Sequence, residues 1–387
     1  MAKLPSILQQ LSTLIALPSV SSTLDDHDMS NQAVIHQLAN WCETLGFRVQ
    51  IQCVDKARNK YNMLASLGSG PGGLILSGHT DTVPCNPEKW TTDPFKLVEK
   101  NKRLYGLGSC DMKGFFPLAL AAVEKFDPND LKAPIFILAT ADEETSMTGA
   151  RALATLGLPK ARAAIIGEPT GLKPVNMHKG IMMESIRIVG QAGHSSNPDL
   201  GNNALEAMHD MMTELLDLRI ELQQQHRHTA FSVPTPTMNL GCIHGGDNPN
   251  RICGQCELHF DLRFIPGMGI DALRALIDQR VQRVAARTRT RCERHALFDG
   301  VEAFASHDNS ELVALAEKLS GYGAEAVAFA TEAPFLADAH IDTVVMGAGS
   351  IDQAHQPDEY LALDQISPMV QCLTSMIQHY CISPKSH

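Results

Sequence analysis

Short apolar runs recur along this chain, and helix-like segments separate them. The runs span residues 74–76, 135–139, 163–166 and 343–346. Nearly continuous apolar runs of this length are typical of central strands that are covered on both faces. Segments such as 115–126 and 309–320 have helical patterns, and their alternation with the runs favours βαβ connections. We therefore predict an α/β domain whose mostly parallel sheet carries helices on both faces.

The segment 181–298 has a different pattern. A strand-like stretch is followed by apolar residues at helical spacing from 204 to 215, by two strand-like runs at 237–243 and 257–264, and by a helical stretch at 270–286. This order predicts a ferredoxin-like α+β sandwich. We expect it to be a domain of residues 181–298 inserted into a larger domain formed by 1–180 and 299–387.

Composition excludes several classes of partner. The formal net charge of −11 would repel a phosphate backbone, so we expect no nucleic-acid partner. No apolar run approaches the length of a bilayer span, and the N-terminal stretch lacks the apolar core of a secretory signal. The ten scattered cysteines are typical of thiols and not of a disulfide framework. We expect a cytoplasmic protein without a membrane partner.

Potential metal ligands follow the apolar runs. His79, Glu144 and Glu168 each come a few residues after one run, and His355 follows another after a Gly-rich loop. In open α/β sheets, sites form beyond the C-terminal ends of the strands. Together with Asp111, which lies just before a helix, these residues can hold two zinc-like ions with one shared carboxylate.

Each motif alone has a simpler interpretation. His79 could be a structural histidine, Asp111 a helix N-cap, and the Glu143–Glu144 pair a solvated surface. The whole set offers one histidine and one carboxylate for each ion, plus the shared Asp111, and this count of donors favours a metal centre. Asp81 is the natural acceptor for the second ring nitrogen of His79, and Glu143 could accept a proton from water if Glu144 binds metal.

The motifs that carry this set resemble the M20 family of co-catalytic metallopeptidases and deacylases. They lie at residues 78–84, 105–108, 111–114, 139–145 and 167–170. The resemblance implies two Zn²⁺ per subunit, with Co²⁺ as a substitute. It assigns His79 and Glu168 to one ion, Glu144 and His355 to the other, and Asp111 to both. Asp81 would orient His79, and Glu143 would be the general base.

The resemblance also gives roles to the inserted domain, as a lid and dimerisation domain of a homodimer. His194, in Gly193–Ser196, would help to stabilise the oxyanion, often from the partner subunit. Asn250 and Arg263 would contact a substrate carboxylate, for which a guanidinium is well suited. Arg263 could instead pair with a neighbouring acid.

A second group of motifs narrows the expected substrate to a small N-acylated amino acid. These motifs lie at residues 58–63, 178–180, 245–247, 250–253, 331–335 and 353–360. Within the family they imply hydrolysis of N2-acetyl-L-ornithine to L-ornithine and acetate, in arginine biosynthesis. The alternatives are a succinyl-diaminopimelate desuccinylase, a dipeptidase or carboxypeptidase, and a catalytically inactive metal-binding scaffold.

Overall fold

The computed structural model describes residues 3–383, apart from the side chains at positions 154 and 156. The helices, in chain order, are α1 Ile7–Ile15, α2 Gln32–Thr44, α3 Phe115–Val123, α4 Thr148–Leu156, α5 Ala204–Gln225, α6 Ile270–Thr288, α7 Glu311–Ser320, α8 Ala333–Ala337 and α9 Leu363–Ile377. Within the described residues, no helix combines the length and apolar content that a membrane span requires.

The strands are numbered in chain order. They are β1 Arg48–Asp55, β2 Lys60–Leu67, β3 Leu74–His79, β4 Val98–Lys100, β5 Arg103–Tyr105, β6 Ile135–Thr140, β7 Ala163–Ile166, β8 Val175–His178, β9 Gly180–Val189, β10 Thr237–Gly245, β11 Gln255–Phe264, β12 Arg291–Ala296, β13 Phe304–Ala305, β14 Glu325–Val327, β15 Asp342–Val345 and β16 Tyr360–Ala362.

The chain divides into two compact units. The first contains the chain up to Asn176, Ser306–Glu325 and the chain from Thr331 onward. The second contains Met177–Ala305 and Ala326–Ala330. The predicted inserted segment, 181–298, lies inside the second unit.

The first unit is built on a sheet in the order β1-β2-β6-β3-β7-β15. The central strands β6, β3, β7 and β15 are parallel, whereas β1 and β2 are antiparallel additions at one edge. Every residue of β3, β6 and β7 is buried. Since alternate side chains of a strand point to opposite faces, both faces of the sheet are covered. The predicted fold class, an α/β sheet with parallel central strands, is confirmed.

Helix α3 is the most deeply buried helix near the predicted ligands. Its sequence is apolar at every position, and all its residues except Ala121 are buried. A helix that is apolar all round must be covered on all sides, and α3 packs against α9, α1 and β3. The helix begins four residues after Asp111, so the core fixes one end of the loop that carries this aspartate.

The second unit runs β9, α5, β10, β11, α6, β12, and its antiparallel sheet has the order β10-β11-β9-β12. This is the predicted ferredoxin-like succession. Strand β11 alternates, with Leu258, Phe260, Leu262 and Phe264 in the apolar core. Asn203 caps the N-terminus of α5, since its side chain accepts a hydrogen bond from the backbone N–H of Leu205.

The account of the buried sheet can be tested by comparing the stability effects of substitutions at two isoleucines of the first unit. Ile137 in β6 has no exposed surface, whereas Ile51 in β1 is 42% exposed. We expect Ile137→Ala to lower the free energy of unfolding by about 2–5 kcal/mol, because it leaves a cavity between packed side chains. Ile51→Ala, the matched control, should stay within about 0.5 kcal/mol. Urea denaturation measures both, and equal losses would contradict this account of the core.

Candidate metal centre

Parallel pairing brings the predicted ligands to one edge of the sheet. His79 is the last residue of β3 and lies opposite Thr140, the last residue of β6. Glu143 and Glu144 follow Thr140 after two intervening residues, and Glu168 lies two residues beyond the end of the neighbouring strand β7. The carboxyl ends of parallel strands share an edge, which is where α/β sheets form sites.

The donor atoms meet in three overlapping groups. Each group has its ligand atoms within 4.8 Å of one another, and the groups are His79 with Asp111 and Glu168, Asp111 with Glu144 and His355, and His79 with Glu143 and Glu144. All these residues belong to the first unit. Asp111 is common to two groups, one containing His79 and the other His355, as expected for a carboxylate between two cations.

The ring of His79 has a defined orientation. Its Nδ1 lies 2.9 Å from the backbone oxygen of Asp81, which can accept only from a protonated nitrogen. That contact leaves Nε2 facing Asp111 Oδ1 at 3.1 Å and Glu168 Oε1 at 3.9 Å. A histidine with Nδ1–H on a carbonyl and Nε2 toward carboxylates has the arrangement of a metal ligand.

His355 reaches the same edge from the other part of the chain. Its Nε2 lies 3.0 Å from Glu144 Oε2 and 3.6 Å from Asp111 Oδ2. The hydrogen bond to Glu144, despite partial burial, raises the pKa of His355 to about 9. Its backbone has a φ of 60°, a left-handed conformation that is uncommon for residues other than glycine.

The backbone carbonyl of Asp81 contacts the His79 ring, whereas its carboxylate contacts a different segment. Oδ1 is 3.7 Å from Nδ1 of His79, longer than a hydrogen bond. The two carboxylate oxygens instead accept from the backbone N–H groups of Glu143 and Glu144, at 3.2 and 3.1 Å. Asp81 therefore holds both the His79 ring, through its carbonyl, and the turn that carries the glutamate pair.

The charges of the site suit bound cations. Burial raises the pKa of Glu168 well above its usual value, and the nearby Asp111 adds to the effect. Burial likewise raises the pKa of Glu143 and of Glu144. Glu168 Oε1 is buried without a hydrogen-bond partner among the described residues. Crowded buried carboxylates need a compensating charge, so this donor set fits divalent ions.

Glycine permits the close approach that positions Glu168. A Cβ atom at Gly347 would lie 2.3 Å from the carbonyl oxygen of Gly167 and 2.5 Å from that of Glu168. These distances are shorter than real Cβ contacts, so a larger residue would displace the segment behind Glu168. The backbone of the loop after β15 therefore packs directly against the backbone of the loop after β7, with no side chain between them.

Three residues that the sequence did not single out support the site. Lys60, which is fully buried, contacts Asp142 and Asp28, each at 2.8 Å, beside the glutamate pair. Burial raises the pKa of Glu332 to about 7. Glu359 is buried against the loop of Asp111. All three lie inside the motifs that narrowed the expected substrate, but no spacing rule connects them with distant partners.

The remaining predicted residues lie in the second unit. His194 is exposed, and its Nδ1 lies 2.8 Å from the Ser196 hydroxyl. Asn250 is close to it in the fold, since its backbone oxygen accepts from the N–H of Ser195 at 3.1 Å. Arg263 in β11 donates from Nε to Asp261 at 3.1 Å, which is the acid pairing that the sequence left open.

Comparison with known proteins gives a consistent result. The model of peptidase family M20/M25/M40 matches residues 75–379. An acetylornithine deacetylase from Proteus mirabilis (strain HI4320) is 47% identical over 384 residues, which are 99% of each chain.

Solved structures agree on the fold. A tripeptidase from Staphylococcus aureus has a TM-score of 0.76 at 18% identity, over 96% of this chain and 97% of that one. A dinuclear metal-binding peptidase of the M20 family from Bacillus subtilis has a TM-score of 0.67 at 14% identity, over 96% of both chains. With the family match over most of its length and a relative of 47% identity, this chain belongs to peptidase family M20/M25/M40.

Proposed function

We propose that this protein hydrolyses N2-acetyl-L-ornithine to L-ornithine and acetate, in arginine biosynthesis. The observation that carries the proposal is 47% identity to an acetylornithine deacetylase along the whole chain. The clustering of two histidines and four acids at the sheet edge supports a hydrolytic site. Related M20 reactions, such as desuccinylation or dipeptide cleavage, are the alternatives.

The proposed metal centre uses five of the clustered residues. His79 and Glu168 would hold one ion, Glu144 and His355 the other, and Asp111 would be shared between them. Mixed nitrogen and carboxylate donors suit Zn²⁺, with Co²⁺ as a substitute. When bound, such ions polarise a carbonyl and lower the pKa of water, which makes hydrolysis possible at neutral pH.

Glu143 is the proposed general base. It lies among the ligands, whereas its neighbour Glu144 contacts His355 at 3.0 Å. Burial raises the pKa of Glu143 well above its ordinary value, which strengthens it as a proton acceptor. Glu143 would take a proton from the attacking water and return it to the departing amine. Asp81 would keep it in place through the hydrogen bond from the Glu143 N–H.

The second unit would supply the substrate contacts, as a lid and dimerisation domain of a homodimer. Arg263 engages Asp261 through Nε, and a guanidinium has further N–H groups in a planar fork that fits a carboxylate. Asn250 and His194 lie on adjacent exposed segments. Asn250 would bind the substrate with Arg263, and His194 would stabilise the oxyanion, in our proposal from the partner subunit.

Metal removal combined with a substrate panel tests the reaction class. Chelator-treated protein should be inactive and should melt at a lower temperature, because ions that bind the folded state stabilise it. Zinc or cobalt should restore both, with acetylornithine turned over much faster than succinyl-diaminopimelate or simple dipeptides. Faster cleavage of either rival would move the assignment to that reaction, and zero turnover with bound zinc would indicate a scaffold.

Replacement of the proposed base separates catalysis from metal binding. We expect Glu143→Gln to lower kcat by about 10²- to 10⁴-fold, because the amide cannot accept the proton. The metal content should remain that of the wild type, by atomic absorption. Glu99→Gln, an exposed acid in β4, is the matched control and should retain full activity. Unchanged kcat in metal-replete Glu143→Gln would exclude this role.

Subunit mixing tests whether His194 acts across a dimer. Glu143→Gln and His194→Ala should each be nearly inactive alone. If the two are unfolded and refolded together, mixed dimers would contain one site with both native residues, and about a quarter of the wild-type activity should return. Sedimentation velocity reports the dimer itself. A dimer without recovered activity would place His194 in its own subunit, and a monomer would exclude the proposed assembly.

A further inference from the structure

Asp111 lies in a loop that has little regular structure of its own. Strand β5 ends at Tyr105 and α3 begins at Phe115, so the aspartate is separated from both. A carboxylate shared between two ions must nevertheless hold a narrow position. The contacts that fix the backbone of this loop therefore matter for the metal centre.

Glu359 supplies three such contacts. Its Oε1 accepts from the backbone N–H groups of Cys110 and Asp111, at 2.8 and 3.0 Å. Its Oε2 accepts from the N–H of Gly108 at 3.1 Å. The residue is 1% exposed, so water does not compete for these hydrogen bonds.

The backbone of Glu359 strengthens the same connection. Its carbonyl oxygen accepts from the N–H of Gly106 at 3.1 Å. The next residues form β16, which pairs antiparallel with β5, and Tyr360 lies opposite Tyr105. His355 is only four residues before Glu359. One short segment thus joins the loop of His355 to the loop of Asp111.

We infer that Glu359 is a positioning residue of the metal centre, which fixes Asp111 through its backbone and keeps it in register with His355. The inference rests on the proposed function, since it concerns the same ions. Both carboxylate oxygens act as acceptors, and together they satisfy all three N–H groups. An amide of the same shape has one acceptor, and its NH₂ group would oppose a backbone donor.

Metal affinity is the appropriate measurement, because a purely structural role would not change it. Metal-free Glu359→Gln is titrated with Zn²⁺ against a chromophoric chelator. We expect binding of both ions to weaken by roughly 10- to 100-fold, as is typical when a partner of a ligand is lost. Circular dichroism and the melting temperature of the metal-free protein report folding separately.

Two further variants keep the test decisive. Asp358→Asn is the matched control, because Asp358 accepts from Thr91 and not from the Asp111 loop; its zinc affinity should stay within about twofold of the wild type. Glu359→Asp keeps the charge with a shorter reach and should be intermediate, which covers the case in which Glu359→Gln does not fold. Wild-type zinc affinity in a folded Glu359 variant would overturn the inference. A wild-type protein that binds fewer than two ions would overturn the proposed function instead.

Discussion

The crowding of buried carboxylates at one sheet edge is the constraint on which the rest of the site depends. Four acids lie close together beside His79: Asp111 and Glu168 are buried, and Glu143 and Glu144 are half-buried. Burial opposes ionisation of each acid, and each ionised acid opposes the next. Such a group stays ionised only if positive charge enters it, from protonated histidines or from bound cations. Because parallel strands end together, the fold concentrates these acids without any local sequence contact between them.

The carboxylates of two supporting residues, Asp81 and Glu359, hold the site through backbone N–H groups and not through the carboxylates that face it. Asp81 accepts from the N–H groups of Glu143 and Glu144, and Glu359 does the same for the loop of Asp111. Lys60 neutralises Asp142, whose φ of 55° lies in the left-handed region. A turn that is held through its peptide groups can direct both glutamate side chains at the site. These supports are polar and buried, so their loss would leave unpaired polar groups in the core.

The parts of the fold that the sequence predicted are those with burial on both faces. The runs at 74–76, 135–139 and 163–166 lie within β3, β6 and β7, because a strand covered on two sides must be apolar throughout. Strand β11 was predicted from its alternating pattern. One of its faces is buried and the other is less buried, so apolar residues recur at every second position. Strands β4, β5 and β16 were missed, because three residues of mixed burial carry no periodicity. The placement of the proposed ligands His79, Glu144 and Glu168 at one sheet edge followed from the strand ends. The partners of Glu359 could not, because backbone N–H groups are common to almost every residue and leave no trace in the sequence.

The neighbouring residues Glu143 and Glu144 show how one fold gives two roles to one residue type. Burial raises the pKa of both, and the closeness of Asp111 adds to the effect at Glu144. The hydrogen bond with His355 works in the opposite direction at Glu144 and favours its ionised form. At Glu143 the charge on His79 favours ionisation but only partly offsets the effect of burial, so the pKa of Glu143 stays well above its ordinary value. In the proposed reaction, Glu144 would bind metal as an ionised carboxylate, with His355 as a neutral ligand of the same ion. Glu143, which is not among the proposed ligands, would remain available as the proton acceptor, and its burial raises its pKa well above the ordinary value.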